Sequence, residues 1–374
     1  MQSEPRRVLV AFGTRPEVIK LAPVISALRR QPGLETITCA SGQHREMVDQ
    51  ILPFFQLDPD IDLNLMRPGQ SLHRLLAGIV EQMGEVIERC KPDLVVVQGD
   101  TGTALGTGLA AIYCGLPIAH VEAGLRTYRL YDPFPEEANR RLLDQMSSLL
   151  FAPTEDCRTA LLAEGLPADS VHVTGNTVVD ALEMVRRHWD EHGAPAEAER
   201  LLADCPGPML LLTGHRRENL GDGLAAVFSA IAQLAEEQPE LTVLFPVHRN
   251  PDVRGLAETM LAGHRNIRLL EPMAYPVFLR LVARADLIVT DSGGIQEEAP
   301  SFGTPILVTR RTTERQPLTE SGAGVLSCPE TDQVLAQARA LLAQGRRSSP
   351  SNPFGDGRAG DRIAAHIAAF LRKD

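Results

Sequence analysis

Short apolar segments alternate with longer amphipathic segments along most of this chain. The apolar segments are typical of buried strands and cover residues 7–12, 34–40, 93–98, 117–121, 149–152, 171–173, 209–213, 241–245, 267–270, 287–290 and 305–308. Helical periodicity marks residues 18–29, 47–55, 72–89, 103–113, 136–146, 177–189 and 362–371. Strands that alternate with helices of this length favour parallel sheets with right-handed crossovers. The sequence therefore predicts an α/β fold of two doubly wound domains.

Two segments interrupt the alternation near the middle of the chain. Residues 192–195 and 204–208 are rich in proline and glycine, which are typical of turns and linkers. We interpret them as the link between an N-terminal domain, residues 1–190, and a C-terminal domain, residues 205–358. A chain of 374 residues is long enough for two separate cores.

The composition is that of a soluble globular protein, with 44% hydrophobic and 23% charged residues. A net charge of −11 disfavours nonspecific binding to nucleic acid. No apolar run approaches the ~20 residues that a membrane span needs, so we expect no membrane association. A short strand and not a long apolar region follows Arg6-Arg7, so we expect no signal peptide. The six cysteines are spread widely, which favours free thiols in a reducing cytoplasm.

Motifs for cofactors are absent from the sequence. The chain contains no GxGxxG run and no P-loop lysine, which disfavours an enzyme that uses nicotinamide or ATP. Its histidines and cysteines lack the spacing of zinc ligands. We therefore expect no metal and no organic cofactor.

Residues 290–300 contain a serine and two glycines between a predicted strand and a helix that starts near Ile295. Ser292, Gly293 and Gly294 would expose backbone N–H groups to an anion, because glycine carries no Cβ to hold a phosphate away. Glu298, one turn later, could accept hydrogen bonds from a sugar hydroxyl. These features predict half of a nucleotide-sugar site, and the alternative is a tight turn whose acidic residues complement the helix dipole.

Unusual polar residues share one location, the carboxyl end of a predicted strand. They are Arg15, Gln43, His44, Asp100, Glu122, His215, His248 and Ser292. Open α/β sheets bind ligands along that edge. If the two domains face each other by these edges, the groups converge on one cleft.

Arg15 and Lys20 lie near the start of a predicted helix, where the helix dipole disfavours cations and only Glu17 offsets them. One interpretation is that a diphosphate binds here, since arginine suits bidentate phosphate contact and lysine acts as a point charge. The alternative is that both side chains are simply solvated.

Three carboxylates are candidates for acid–base chemistry: Asp100, Glu122 and Glu136. Asp100 follows an apolar strand, although it could instead cap the next helix. Glu122 is flanked by small residues, which leave room for a substrate. Glu136 could instead pair with Arg140 four residues later.

Two histidines follow predicted strands of the second half. His215 precedes two arginines, so it could donate to a phosphate or act as a general acid near neutral pH. His248 is placed in the same way, and we predict that it contacts the substrate.

Together these motifs resemble the non-hydrolysing UDP-N-acetylglucosamine 2-epimerase family. The resemblance is carried by Gly13-Thr14-Arg15-Pro16-Glu17, Gly42-Gln43-His44-Arg45, Gly99-Asp100-Thr101, His120-Val121-Glu122-Ala123-Gly124-Leu125-Arg126-Thr127, Pro133-Phe134-Pro135-Glu136-Glu137-Ala138-Asn139-Arg140, Val173-Thr174-Gly175-Asn176, His215-Arg216-Arg217-Glu218-Asn219, Pro246-Val247-His248, Asp291-Ser292-Gly293-Gly294 and Thr313-Glu314-Arg315. It implies a glycosyltransferase-B-like fold of two Rossmann-like domains, with the C-terminal helix, residues 360–374, packing back on the first. It also implies a homodimer.

The family inverts C2 of the sugar in UDP-N-acetylglucosamine (UDP-GlcNAc) to give UDP-N-acetylmannosamine (UDP-ManNAc), by elimination of UDP to 2-acetamidoglucal and re-addition. By this resemblance the catalytic residues are Lys20, Asp100, Glu122, Glu136, Arg140 and His215. The implied contacts to substrate and UDP are Arg15, His248, Ser292, Gly293, Gly294, Glu298 and Arg315. Some bacterial members bind a second, activating UDP-GlcNAc, for which the matching positions are Gln43, Gln70, Arg216 and Glu218.

The sequence departs from the family where Gln316-Pro317-Leu318 follows the arginine, since Pro-Glu is usual there. That loop lies near the nucleotide in the family, so a sugar modified at C3 or C6 stays open. A hydrolysing relative that releases ManNAc and UDP, a retaining glycosyltransferase and a non-catalytic nucleotide-sugar sensor are further alternatives. The presence of all three carboxylates disfavours the sensor.

Overall fold

The computed structural model describes residues 4–42, 48, 50–67, 69–216, 219–313, 315–347 and 351–372. The chain divides into two compact units. Unit 1 comprises Met1–Met184 with Gly355–Asp374, and unit 2 comprises Val185–Phe354. The division falls inside a helix and not at residues 192–208, where the sequence places the link.

Unit 1 is built on a parallel sheet of seven strands. These are β1 (Arg6–Phe12), β2 (Leu34–Ala40), β3 (Ile61–Asp62), β4 (Leu94–Gln98), β5 (Ile118–Val121), β6 (Leu149–Ala152) and β7 (Val171–Val173), in the order β3-β2-β1-β4-β5-β6-β7. The accompanying helices are α1 (Arg15–Arg29), α2 (Leu72–Cys90), α3 (Gly102–Tyr113), α4 (Glu136–Met146), α5 (Glu155–Ala163) and α6 (Thr177–His192). The strand order reverses between β1 and β4, so the loops after these two strands flank the position where such sheets bind ligands.

Continuous apolar runs explain why these strands lie at the centre of the unit. All five residues of β4 are buried, as both faces of a parallel sheet are covered by helices. Ile79 and Met83 of α2 pack in one core cluster with Leu9 of β1 and Val95 of β4. The same packing holds the carboxyl ends of β1 and β4 side by side.

Unit 2 repeats this plan with six parallel strands. They are β8 (Met209–Thr213), β9 (Thr242–Pro246), β10 (Ile267–Leu270), β11 (Leu287–Thr290), β12 (Ile306–Thr309) and β13 (Gly324–Ser327), in the order β10-β9-β8-β11-β12-β13. Its helices are α7 (Ala196–Ala203), α8 (Asp222–Glu237), α9 (Pro251–Leu261), α10 (Tyr275–Arg284), α11 (Gly293–Glu298), α12 (Gln316–Glu320) and α13 (Thr331–Gln344). Phe228 and Phe245 meet edge to face in its core, with ring centroids 5.3 Å apart. The order reverses between β8 and β11.

The C-terminal helix, α14 (Ala359–Leu371), belongs to unit 1. It packs on α1, and the backbone of Gly360 lies against that of Pro23. The N–H of Gly360 donates to Oδ1 of Asp180 in α6 at 2.7 Å. The first turn of α14 therefore depends on a glycine for close approach and on a carboxylate for its free N–H group.

The predicted fold class is confirmed, since both units contain a parallel sheet with interleaved helices. The details differ where sequence patterns are weak. The short strands β3 and β13 are not predicted, and α1 begins at Arg15 instead of residue 18. The helix predicted to start near Ile295 begins at Gly293 and ends at Glu298, because Pro300 has no N–H to continue α11 and the chain forms a 3₁₀ turn at Ala299–Phe302. The helix predicted over 47–55 lies partly outside the described residues, and the described part includes a 3₁₀ turn at Pro53–Phe55.

Gly360→Ala should destabilise the protein. A Cβ at this position would lie 2.9 Å from the carbonyl oxygen of Pro23, which is too close for an unstrained contact. We expect the free energy of unfolding to fall by about 1–3 kcal/mol, the range for overpacked sites. Gly84→Ala in α2 is the matched control, because its Cβ would meet no atom within 4 Å. It should gain roughly 0.5–1 kcal/mol from helix propensity, and equal effects of the two changes in urea unfolding would contradict this packing.

Candidate active site

Glu122 forms a buried ion pair just beyond the end of β5. Its Oε1 contacts Nζ of Lys20 in α1, and its Oε2 accepts from the side chain of Gln98 at the end of β4. Only 8% of the Glu122 side chain and 12% of the Lys20 side chain are exposed. The backbone φ of Glu122 is 68°, a left-handed conformation that costs a non-glycine residue on the order of 1–3 kcal/mol. Strain and burial together make this position a candidate for function.

Asp100 follows β4 and pairs with Arg140 of α4. Nε of Arg140 donates to Oδ2 at 2.9 Å, and Nη2 contacts the same oxygen. The guanidinium also reaches Glu137 at 3.2 Å. The alternative role of Asp100 as a helix cap is wrong, because Thr101 caps α3 by accepting from the N–H of Ala104 at 3.0 Å. The Asp100 side chain is therefore left to interact with the cation.

Glu136 lies in the first turn of α4. The alternative ion pair with Arg140 is wrong, since Arg140 pairs with Asp100 and Glu137. Within the described ranges no hydrogen bond reaches the buried Oε2 of Glu136. Buried carboxylate oxygens are nearly always hydrogen-bonded, so an unsatisfied one calls for a functional explanation.

Glu17 connects the two loops at the reversal point of the unit 1 sheet. Its fully buried carboxylate accepts from the N–H groups of Gly13 and Thr14 at 3.1 and 2.8 Å, and from the hydroxyl of Thr101 at 2.7 Å. Burial raises the pKa of Glu17 to about 7, although these hydrogen bonds lower it. The sequence suggests only that Glu17 offsets the cations near it, whereas the structure shows it fixing the loop that carries Arg15.

His120 is a second buried group that sequence analysis did not assign. It lies in β5, where it bonds Asp144 of α4 at 2.7 Å and the carbonyl of Gly99 at 2.8 Å. The available signal was a histidine inside an otherwise apolar strand. That signal does not identify the partners, which are 24 and 21 residues away in sequence.

Asp291 organises the corresponding edge of unit 2. It follows β11, is buried, and accepts from the N–H groups of His215 and Arg216, each at 3.0 Å. It also accepts from the side chain of Asn219, which in turn donates to the carbonyl of Thr309 at 2.9 Å. The loop after β8 is thereby tied to the ends of β11 and β12.

The rings of His215 and His248 stack with centroids 5.1 Å apart and an interplanar angle of 13°. Burial lowers the pKa of His215, and His248 and Arg216 lower it further against the opposing effect of Asp291. A neutral imidazole donates a hydrogen bond from one ring nitrogen and accepts one at the other. The structure thus brings together the two histidines that the sequence places after separate strands.

The Ser292-Gly293-Gly294 turn leads into α11 with a guanidinium over its first residue. A Cβ on Gly293 would lie 2.7 Å from Cζ of Arg315, so only glycine leaves space for this side chain. Nε of Arg315 donates to Oε1 of Glu297 at 2.9 Å. A cation and helical N–H groups therefore lie at one place, which suits a phosphate.

Glu298 is mostly buried, and its Oε1 accepts from the hydroxyl of Tyr275 at 2.9 Å. One carboxylate oxygen is thus held by the protein. The position of this group in the last turn of α11 agrees with the sequence, but its contact with Tyr275 could not be foreseen.

Of the four residues predicted for a second UDP-GlcNAc site, the structure describes Gln70 and Arg216. Gln43 and Glu218 lie outside the described residues. Gln70 accepts from the N–H of Arg67 at 3.1 Å, which closes a local turn. Nε of Arg216 is buried without a hydrogen-bond partner among the described residues. The activating site stays a prediction.

The described residues contain neither a cluster typical of a metal site nor a helix suited to a membrane. Across these ranges no cluster of three or more His, Cys, Asp or Glu side chains has the arrangement of a metal site. In the same part of the chain, no helix combines the length and apolarity that crossing a bilayer requires.

Comparison with known proteins gives a consistent result. The family model described as UDP-N-acetylglucosamine 2-epimerase matches residues 26–368. The chain is 45% identical to the UDP-N-acetylglucosamine 2-epimerase of Yersinia pestis over 364 residues, which cover 96% of this chain and 97% of that protein. The crystal structure of UDP-GlcNAc 2-epimerase from Neisseria meningitidis bound to UDP-GlcNAc aligns with a TM-score of 0.89 at 41% identity, covering 98% of this chain and 100% of that one. The Methanocaldococcus jannaschii UDP-GlcNAc 2-epimerase in complex with UDP-GlcNAc and UDP has a TM-score of 0.82 at 31% identity, covering 97% and 99%.

Glu17 should make stability depend on pH between its unfolded and folded pKa values. Because its pKa is raised on folding from 4.5 to about 7, its contribution is fully present below pH 4.5 and is lost as pH rises through 7. We expect the stability of wild type relative to Glu17→Gln to fall over this window by on the order of 3 kcal/mol. Urea unfolding at pH 5, 6, 7 and 8 measures this, and parallel curves for the two proteins would contradict it.

Proposed function

The chain belongs to the UDP-N-acetylglucosamine 2-epimerase family, and we propose that it interconverts UDP-GlcNAc and UDP-ManNAc as an isomerase. The family model and the relatives cover nearly the whole chain, and the two doubly wound sheets are those of the glycosyltransferase-B-like neighbours. The structures from Neisseria meningitidis and Methanocaldococcus jannaschii contain UDP-GlcNAc. The observation that carries the proposal is the group of three carboxylates, Asp100, Glu122 and Glu136, at one edge of the unit 1 sheet.

The chemistry accounts for the need for several carboxylates. C2 of a closed pyranose has no adjacent carbonyl, so its proton is hard to remove directly. In the proposed reaction a carboxylate takes the C2 proton while the C1–O bond breaks, UDP leaves with the bonding electrons, and a C1–C2 double bond forms. The reverse addition delivers a proton to the opposite face of C2, and a UDP oxygen attacks C1. Inversion thus needs acid–base groups for two faces of the sugar.

The two ion pairs of unit 1 suit this task. Lys20 beside Glu122 and Arg140 beside Asp100 neutralise charge that would otherwise repel an anionic substrate. Oε2 of Glu136, which has no hydrogen-bond partner among the described residues, is available to a substrate donor. We assign the proton transfers to these carboxylates.

We assign UDP binding mainly to unit 2, with Arg15 of unit 1 as a further phosphate contact. Arg315 and the N–H groups after Ser292 would stabilise the negative charge that develops on the leaving diphosphate. Glu298, held by Tyr275, would accept from a ribose hydroxyl. His215, whose burial favours the neutral ring, would donate to the diphosphate, and His248 would contact the substrate beside it.

We also propose that the enzyme is a cytoplasmic homodimer. The described cysteines are all free thiols, which fits a reducing compartment. The homodimer rests on the sequence resemblance alone.

Wild-type protein incubated with UDP-GlcNAc in deuterated water should incorporate deuterium at C2 of an intact UDP-sugar. The removed proton exchanges with solvent before a proton returns to C2. NMR of the sugar region follows both the label and the appearance of UDP-ManNAc. Free ManNAc as the main product would indicate a hydrolysing enzyme, and absence of any C2 exchange would reject both activities.

The matched variant for this experiment is Asp100→Asn. It keeps the shape of the side chain and leaves Arg140 paired with Glu137. We expect kcat to fall by roughly 10²–10⁴-fold, the usual contribution of a general acid or base. The affinity for UDP should stay the same, and its loss would contradict the acid–base assignment.

Gly293→Ala should weaken UDP binding by displacing Arg315. The new Cβ would lie 2.7 Å from Cζ of Arg315 and 2.9 Å from both terminal nitrogens. Loss of one charge-assisted contact corresponds to an increase in Kd of about tenfold in calorimetry. Gly255→Ala in α9 is the control within unit 2, since its Cβ would meet no atom within 4 Å. Equal Kd values for the two variants would show that Arg315 does not hold the diphosphate.

A further inference from the structure

His120 contacts two acceptors from inside the sheet of unit 1. It is fully buried in β5, with Nδ1 2.7 Å from Oδ1 of Asp144 and Nε2 2.8 Å from the carbonyl oxygen of Gly99. A carbonyl oxygen only accepts hydrogen bonds, and so does an ionised carboxylate. Each ring nitrogen therefore faces an acceptor, and the ring joins α4 to the loop after β4.

Asp144 contacts two basic side chains, His120 and Arg126. Burial raises the pKa of Asp144, but His120 and Arg126 lower it by more, so its pKa lies below the ordinary value. Nη2 of Arg126 lies 2.8 Å from Oδ2 of Asp144, and Nε lies 2.7 Å from Oε1 of Glu164. The four side chains thus form one network in which each bond has a defined partner.

The network touches each segment that carries a proposed acid–base carboxylate. Gly99, whose carbonyl His120 holds, directly precedes Asp100. Glu122 lies two residues after His120 on the same chain segment. Asp144 lies on α4, the helix that begins with Glu136.

A second side chain of α4, one helical turn from Asp144, also contacts the loop after β4. Arg140 and Asp144 are four residues apart, which places them on one face of α4. Arg140 reaches the side chain of Asp100, while Asp144 reaches the ring of His120. The helix therefore holds both the loop after β4 and the end of β5.

We propose that His120 is a positioning residue for the epimerase reaction, and that its hydrogen bond to the carbonyl of Gly99 sets the placement of Asp100 relative to Glu122 and α4. The proposal rests on the function proposed above. His120 is fully buried in β5 and is not among the groups proposed to contact the substrate. A misplacement of about 1 Å at such a site can lower a rate by ~10²-fold.

Two substitutions each remove one of the two hydrogen bonds made by the His120 ring. The amide of asparagine lies where Nδ1 of histidine lies, so His120→Asn keeps a donor for Asp144 and loses the bond to Gly99. The longer glutamine places its amide near Nε2, so His120→Gln keeps the donor to Gly99 and loses the bond to Asp144. His172→Asn is the matched control, because His172 is in β7 of the same unit and stacks on His366 at 3.9 Å.

The primary measurement is kcat per folded molecule, with folded protein counted by UDP binding in calorimetry. We expect His120→Asn to lower kcat by about 100-fold, with KM and the Kd of UDP changed by less than about threefold. His120→Gln should remain within about tenfold of wild type, and His172→Asn should keep the wild-type kcat. A wild-type kcat in folded His120→Asn, or equal losses in the two His120 variants, would overturn the proposal. If His120→Asn does not fold, the kcat of folded His120→Gln decides. A kcat 100-fold below that of wild type would overturn the proposal, and a kcat within tenfold of wild type supports it.

Amide hydrogen exchange gives a readout that does not depend on turnover. Exchange in the peptide around residues 98–101 should be faster in His120→Asn than in His120→Gln or His172→Asn, because only the first loses the bond to Gly99. Unchanged exchange would overturn the positioning role. If wild type shows no C2 exchange, the proposed function fails, and this measurement still decides whether His120 positions the loop.

Discussion

A buried carboxylate joins the two loops at the reversal point of each sheet. In unit 1, Glu17 follows β1 and accepts from Thr101, which follows β4. In unit 2, Asp291 follows β11 and accepts from the N–H groups of His215 and Arg216, which follow β8. Parallel sheets place these loops side by side, but an unsatisfied backbone N–H at a buried edge would be costly. A carboxylate satisfies several such donors at once, so the same group that stabilises the edge also fixes the residues exposed beyond it.

Charge balance at these edges explains how an acidic protein can bind an anionic ligand. With a net charge of −11, the chain would repel a diphosphate unless the local charge were neutralised. Lys20 and Arg140 each contact one of the carboxylates proposed for proton transfer, Glu122 and Asp100. In unit 2, Arg315 lies over a helix start, where the dipole already favours anions. The cations are therefore placed by side-chain geometry and not by overall charge.

The sequence predicts the fold better than it predicts the contacts within the candidate site. A fully buried strand such as residues 94–98 is recognisable in the sequence as an almost continuous apolar run. Asp100 and Glu122 stand out because they are polar residues that follow such strands. The hydrogen bond from Thr101 to Glu17 spans 84 residues, and no local pattern specifies such a partner. For the same reason the sequence allows Asp100 to be a helix cap. Thr101 caps the helix instead, because the carboxylate of Asp100 is hydrogen-bonded to Arg140, 40 residues away.

The left-handed backbone of Glu122 depends on contacts from both neighbouring segments, α1 and the end of β4. A non-glycine residue in this region must be stabilised by its surroundings, and here Lys20 and Gln98 hold both carboxylate oxygens. Two glycines lie near this position. A Cβ on Gly124 would lie 2.4 Å from the carbonyl oxygen of Cys157, so the turn requires glycine there, whereas a Cβ on Gly99 would make an ordinary contact of 3.6 Å with Oε2 of Glu122. The carboxylate of Glu122 therefore contacts the segment that leads from β4 to Asp100. His120 bonds the carbonyl of Gly99 in the same segment, so both side chains act on the residues directly before Asp100.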